Sequence, residues 1–114
     1  MSFPNWTHEF PGSIIVCDPE GVILDLNERA ALGFQAEGGR ALIGKNLLDC
    51  HPEPARTKLL ELMHSRQKNV YTIEKKGGWK LIYQSPWFEN GEYRGFVELS
   101  LEIPAEMQHF IRQG

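Results

Sequence analysis

The stretch "WKLIYQSPWFENGEYRGFVELSLEI" (79–103) constrains this chain more than any other. Its second half alternates without a break. Gly95, Val97, Leu99, Leu101 and Ile103 fall on one side of an extended chain, and Phe96, Glu98, Ser100 and Glu102 on the other. Side chains of a strand repeat every second residue, so this pattern reads as strand rather than helix. The first half is a run of the same kind, with Trp79, Leu81, Tyr83, Ser85 and Trp87 on one face. Between the halves stands Asn90-Gly91, a pair that tolerates the positive φ angles of a tight hairpin turn. A long antiparallel hairpin follows, and its apolar face has to be covered by something.

The rest of the chain supplies the cover. "SIIVCD" (13–18) and "VILDL" (22–26), joined by the turn residues "PEG", read as a second hairpin. Asn27 is placed to cap a short helix through "ERAALGF", since its side-chain oxygen can accept from first-turn amides. "QAEGGR" and "ALIGK" form a glycine-rich connection. From Glu53 the period changes: Ala55, Leu59, Leu62 and Met63 share one face of a helix over 53–66, which Pro54 suits at its start. "NVYTIEK" (69–75) alternates again as a strand. The order predicts an α+β fold: a five-stranded antiparallel sheet, covered on one face by helices inserted between strands two and three. A space between helices and sheet is where a ligand would sit.

These residues resemble a PAS domain over roughly residues 10–103. "SIIVCDPEGVILDLN" is similar to the family's opening hairpin, with Asp18, Gly21 and Asn27 in the usual places. "LIGKNLLDCHP" is similar to the segment ahead of the family's long connecting helix, and its "CHP" resembles a prokaryotic subset. "YQSPWFENGEYRGFVELSLEI" resembles the closing hairpin. Two departures stand out. The first helix is shorter than usual, and Glu102-Ile103-Pro104 replaces the triplet that often couples to an output helix. Pro104 disfavours helical geometry at Ile103, so a continuous signalling helix is not expected to start there. The resemblance implies sensing of a small molecule or a signalling protein partner, without catalysis.

Bulk properties narrow the setting. The chain has 114 residues, which fits a single domain (1–114, with short flanks outside the core). Twelve basic and 15 acidic residues leave a net charge of −3 and no basic stripe, so no nucleic-acid partner is expected. No apolar run approaches the roughly 20 residues of a membrane span, and "MSFPNWTHEF" does not read as a signal peptide. Cys17 and Cys50 form no CxxC pattern, which makes a reducing cytoplasm the expected location.

Cys50 and His51, within "LLDCHPEP", are the side chains that most invite a chemical role. Neighbouring residues point in different directions, and metal sites take three or four protein ligands, so no metal is expected. The plain alternative is a buried thiol and a histidine hydrogen-bonded near a helix start. A redox, metal or haem sensor using Cys50 and His51, or His64, is the competing reading. On the long helix His64 lies about 140° from Leu59, off the apolar stripe, which argues against haem. Neither "IVCDP" nor "LDCHP" matches the cysteine setting of flavin-binding light sensors, so no cofactor is the leading expectation. The pair also lacks an oxyanion-hole motif or an orienting third group, which argues against an enzyme.

The expected pocket is lined by Cys50 and His51 at the rim, by Tyr71, Ile73, Leu81, Tyr83, Ser85, Val97 and Leu99 from the sheet, and by Met63 opposite. A fully packed core is the alternative. Outside the core, Trp6 with Phe10, and Met107 with Phe110 and Ile111, form short amphipathic segments. With Trp79 or Phe96 exposed on the outer sheet face, these would favour a homodimer.

Overall fold

The computed structural model describes residues 3–114. Five strands, β1 (Ser13–Cys17), β2 (Ile23–Leu26), β3 (Asn69–Lys75), β4 (Gly78–Glu89) and β5 (Glu92–Ile103), form one antiparallel sheet in the order β2-β1-β5-β4-β3. A four-residue helix, α1 (Asn5–His8), precedes β1. Between β2 and β3 come α2 (Glu28–Gly33), three 3₁₀ turns and α3 (Ala55–Ser65). The two hairpins and the helices between them follow the order that the alternation predicts.

Local chemistry explains the boundaries. Asp18 Oδ1 accepts from the amides of Glu20 and Val22 at 2.9 Å each, which folds the β1–β2 turn. Asn27 ends β2 and caps α2: its Oδ1 accepts from Ile14 N at 3.0 Å and from Ala30 N at 3.1 Å. Its Nδ2 donates to the carbonyls of Thr7 and Gly12, so one fully buried amide ties four segments together. Asn90 and Gly91 both have positive φ, as the turn between β4 and β5 requires. The helix predicted from Glu53 begins at Ala55, and the Glu53 carboxylate accepts from the amide and hydroxyl of Thr57.

The edge strand β2 is covered rather than open. Ile23 N donates to Lys45 O and Gly44 N to Ile23 O, which binds the glycine-rich connection along its edge. Gly95 of β5 lies against the backbone at the end of β1. Its φ is +135°, and a Cβ there would run into the Cys17 carbonyl, so only glycine fits.

The core forms where α3 meets the β1–β2 end of the sheet. Leu59, Leu62 and Met63 pack with Ile15, Cys17, Ile23, Leu26, Leu47 and Phe96. β1 is buried on both sides, with Ile14, Ile15, Val16 and Cys17 exposed by only 8, 2, 4 and 1%. Its far side is reached by the N-terminal segment, where Phe3 N donates to Asp25 Oδ2 and Gly12 sits against Phe10 and Leu101.

The faces of the closing hairpin are reversed relative to the sequence expectation. Phe96 is 3% exposed and belongs to the core beneath α3, so Glu98, Ser100 and Glu102 share its side. Register then carries the same face across the sheet: Gln84 pairs with Glu98, Ile82 with Ser100, and Tyr71 with Ile82. Leu81, Tyr83, Ser85, Val97 and Leu99 therefore face away from the helices, together with Trp79, Leu101 and Ile103. Phe96 is buried, not exposed as a dimer contact would need. The C-terminal residues 104–114 form no regular structure, and Met107, Phe110 and Ile111 are exposed.

Candidate functional site

At its β3–β4 side, α3 stands off the sheet and leaves a cleft of about 520 Å³. The roof is Ala55, Lys58 and Leu59 of α3, with His51 and Pro54 at the mouth. The floor is Asn69, Tyr71 and Ile73 of β3, Ile82 and Gln84 of β4, and Glu98 of β5. The apolar members give shape and the polar ones give direction, the usual composition of a small-molecule site.

The polar floor is organised into a chain. Asn69 Nδ2 donates to Gln84 Oε1 at 2.9 Å, and Gln84 Nε2 donates to Glu98 Oε2 at 2.7 Å. Three adjacent strands are thus linked by side chains inside the cleft. Gln84 is buried, and this chain is what satisfies its amide. Tyr71 lies close by, and burial, with the Glu98 charge adding, pushes its hydroxyl pKa up.

The predicted site residues divide three ways. His51, Tyr71 and Ile73 line the cleft. His51 holds its ring with Nδ1 at 2.9 Å from the Leu47 carbonyl, so Nδ1 carries the proton and Nε2 is the nitrogen left for a ligand. Cys50 and Met63 are not brought to it. Cys50 faces Glu37, Lys45, Asn46 and Asp49 on the other side of the connection, and Met63 is buried in the core. Leu81, Tyr83, Ser85, Val97 and Leu99 point the opposite way, as described above.

Burial, reinforced by the Glu37 and Asp49 charges, raises the Cys50 thiol and so suppresses its thiolate. His64 is exposed beside Leu48, Leu60 and Arg66, outside the cleft. Among the described residues no three His, Cys, Asp or Glu side chains are grouped to hold a metal ion. No helix among the described residues is long and apolar enough to cross a membrane. Sequence reasoning missed Asn69, Ile82, Gln84 and Glu98. Gln84 and Glu98 carried a usable signal, since a Gln and a Glu opposite one another on paired strands suit a hydrogen bond.

Comparison with known proteins decides the family. The model of the PAS fold matches residues 7–106. The chain belongs to the PAS family. A search of curated proteins finds no match. Among solved structures, a C-terminal domain from Streptococcus mutans is similar with a TM-score of 0.67 and 17% identity, over 85% of this chain and 79% of that one. A sensory box sensor histidine kinase from Vibrio cholerae is similar with a TM-score of 0.61 and 17% identity, over 82% of each chain. The PAS domain of the histidine kinase ThkA is similar with a TM-score of 0.61 and 18% identity, over 79% of this chain and 98% of that one. At these identities the likeness is one of fold.

Proposed function

We propose that this PAS domain is a cytoplasmic, non-catalytic sensor module from a prokaryote, whose cleft beneath α3 takes a small molecule. The supporting observation is the 520 Å³ cleft with the Asn69–Gln84–Glu98 chain on its floor. A ligand that meets both α3 and this chain binds one arrangement of helix and sheet better than another. It shifts the population toward that arrangement, and the flanking segments report the shift to a signalling partner.

A second copy is the proposed occupant of the outer sheet face. That face carries Trp79, Leu81, Tyr83, Val97, Leu99, Leu101 and Ile103, half-buried and continuous across β4 and β5. An apolar surface of this extent is typical of an interaction site.

Native mass spectrometry and an absorption spectrum of freshly purified protein test the first reading. Added mass that is lost when Ala55→Trp fills the space beneath the roof would support it. Protein that carries no ligand, and whose melting temperature no metabolite library shifts, would leave the domain as an interaction module only.

A further inference from the structure

A second cavity adjoins the one under α3. It has a volume of about 360 Å³, lies beneath α2, and shares Ile73 and Glu98 with the first. Its polar lining is Arg29, Lys75, Lys80, Ser13, Ser100 and Glu102. The helix-facing side of β3–β5 thus carries these polar residues beside Ile73, Ile82 and Phe96, while the longer apolar set lies on the outer face.

The charges lining the two cavities do not cancel. Arg29, Lys58, Lys75 and Lys80 face only two carboxylates, Glu98 and Glu102, in a chain whose net charge is −3. Both carboxylates are engaged already: Glu102 by Arg29 at 3.3 Å and Glu98 by the Gln84 amide at 2.7 Å. Every ion pair among the described residues uses an arginine, and none brings a lysine within 4.0 Å of a carboxylate. Lys58, Lys75 and Lys80 thus bring positive charge without an ion-pair partner to the lining of the two cavities, Lys80 half-buried and Lys58 and Lys75 exposed.

We propose that the two adjoining cavities act as one cleft that binds an elongated organic acid. The acidic group sits at Lys75 and Lys80 beside the Ser100 hydroxyl. The apolar body lies along Ile73, Ile82 and Leu59, and the far end reaches Lys58 and His51. Length follows from the strand: Asn69 and Lys75 share a face six residues apart, which spans about 20 Å. An anion the size of acetate would occupy one end only, whereas an aryl acid reaches both the lysines and the apolar wall. Glu98, at the junction, disfavours a second acidic group there and accepts from a hydroxyl or amine instead. This assignment rests on the reading that the cleft beneath α3 takes a ligand.

The test uses two fluorescent probes of the same ring skeleton on the intact chain. One is 8-anilinonaphthalene-1-sulfonate, and the other is N-phenyl-1-naphthylamine, which lacks the sulfonate. The sulfonate probe is expected to bind about tenfold more tightly at low salt and to lose that advantage as salt rises. The double variant Lys75→Gln, Lys80→Gln is expected to weaken the sulfonate probe by about tenfold and leave the neutral probe within about twofold. Lys75 is exposed and Lys80 half-buried on their strands, and an amide ¹H–¹⁵N spectrum checks the fold. Equal sulfonate affinity in the double variant overturns the acid assignment. If Ala55→Trp meanwhile removes both probes, the cleft itself stands as a binding site. If Ala55→Trp changes neither probe and Leu99→Asp removes both, the probes sit on the outer face and the cleft reading falls as well.

Discussion

Gln84 and Glu98 stand directly opposite one another on β4 and β5, and the Gln84 amide donates to the Glu98 carboxylate at 2.7 Å. A carboxylate only accepts, so it fixes which end of the Gln84 amide faces β5 and leaves the oxygen to Asn69. Replacing Gln84 by Leu strands two polar partners in a partly buried floor. A double-mutant cycle of Gln84→Leu with Glu98→Ala, followed by urea denaturation, is expected to show a coupling energy of about 1–2 kcal/mol. Additive single effects would mean that the chain contributes no stability of its own.

Asn27 is the most heavily used side chain in the described structure. It accepts from Ile14 and Ala30 and donates to Thr7 and Gly12 while fully buried. Asn27→Ala removes a helix cap and leaves two amides and two carbonyls without that partner. The expected loss is about 3 kcal/mol in chemical denaturation. Asn27→Asp keeps the accepting oxygen but turns a carboxylate toward two carbonyls, and is expected to be no better tolerated. A loss below about 1 kcal/mol for the alanine variant would show that water replaces the amide at little cost.

Much of this fold was legible because local chemistry and periodicity agreed. Asn90-Gly91 sets the closing hairpin, Asn27 caps α2, and the stripe of Leu59, Leu62 and Met63 marks α3. The orientation of the sheet was not legible. A period of two sorts β5 into a set with Val97, Leu99 and Leu101 and a set with Phe96, Glu98 and Ser100, but it does not say which set meets the helices. The more apolar set was the natural choice for the covered face, and here it faces outward. The clue was in β1: four apolar residues in a row mean a strand covered on both sides, so apolar content no longer identifies the inside. Of the rim pair, adjacency correctly implied divergence, but not that His51 turns to the cleft while Cys50 turns from it. The C-terminal stripe of Met107, Phe110 and Ile111 has helical spacing but forms no helix, since a short segment without docking does not repay nucleation.

The outward apolar set makes its own prediction. If a second copy covers it, Leu99→Arg places a charge in the middle of the interface. The wild-type chain is expected to sediment as a dimer, and the variant's dimer dissociation constant is expected to rise by about 30-fold, corresponding to about 2 kcal/mol. Probe binding in the cleft should be unchanged, because Leu99 points away from it. A wild-type monomer at high protein concentration, by sedimentation velocity, would reject the second copy as occupant.

Burial pushes the Cys17 thiol from its ordinary 9.0 up to about 11, with the Asp18 and Glu98 charges adding and a backbone hydrogen bond from Phe96 opposing. The unfolded thiol ionises near 9.0 and the folded one near 11, so between them the unfolded state holds fewer protons. Stability is therefore complete below pH 9 and falls as pH rises toward 11, by about 2–3 kcal/mol in total. The Cys50, Tyr71 and Tyr93 groups are raised too and slope the same way, so the wild-type curve alone does not isolate Cys17. Cys17→Ala does. It is expected to cost about 1 kcal/mol at pH 8 through lost contacts, yet to flatten the alkaline slope. The stability difference between the two proteins should close, and then reverse, between pH 9 and 11. A constant difference across that range would show that the Cys17 thiol ionises as readily in the fold as out of it.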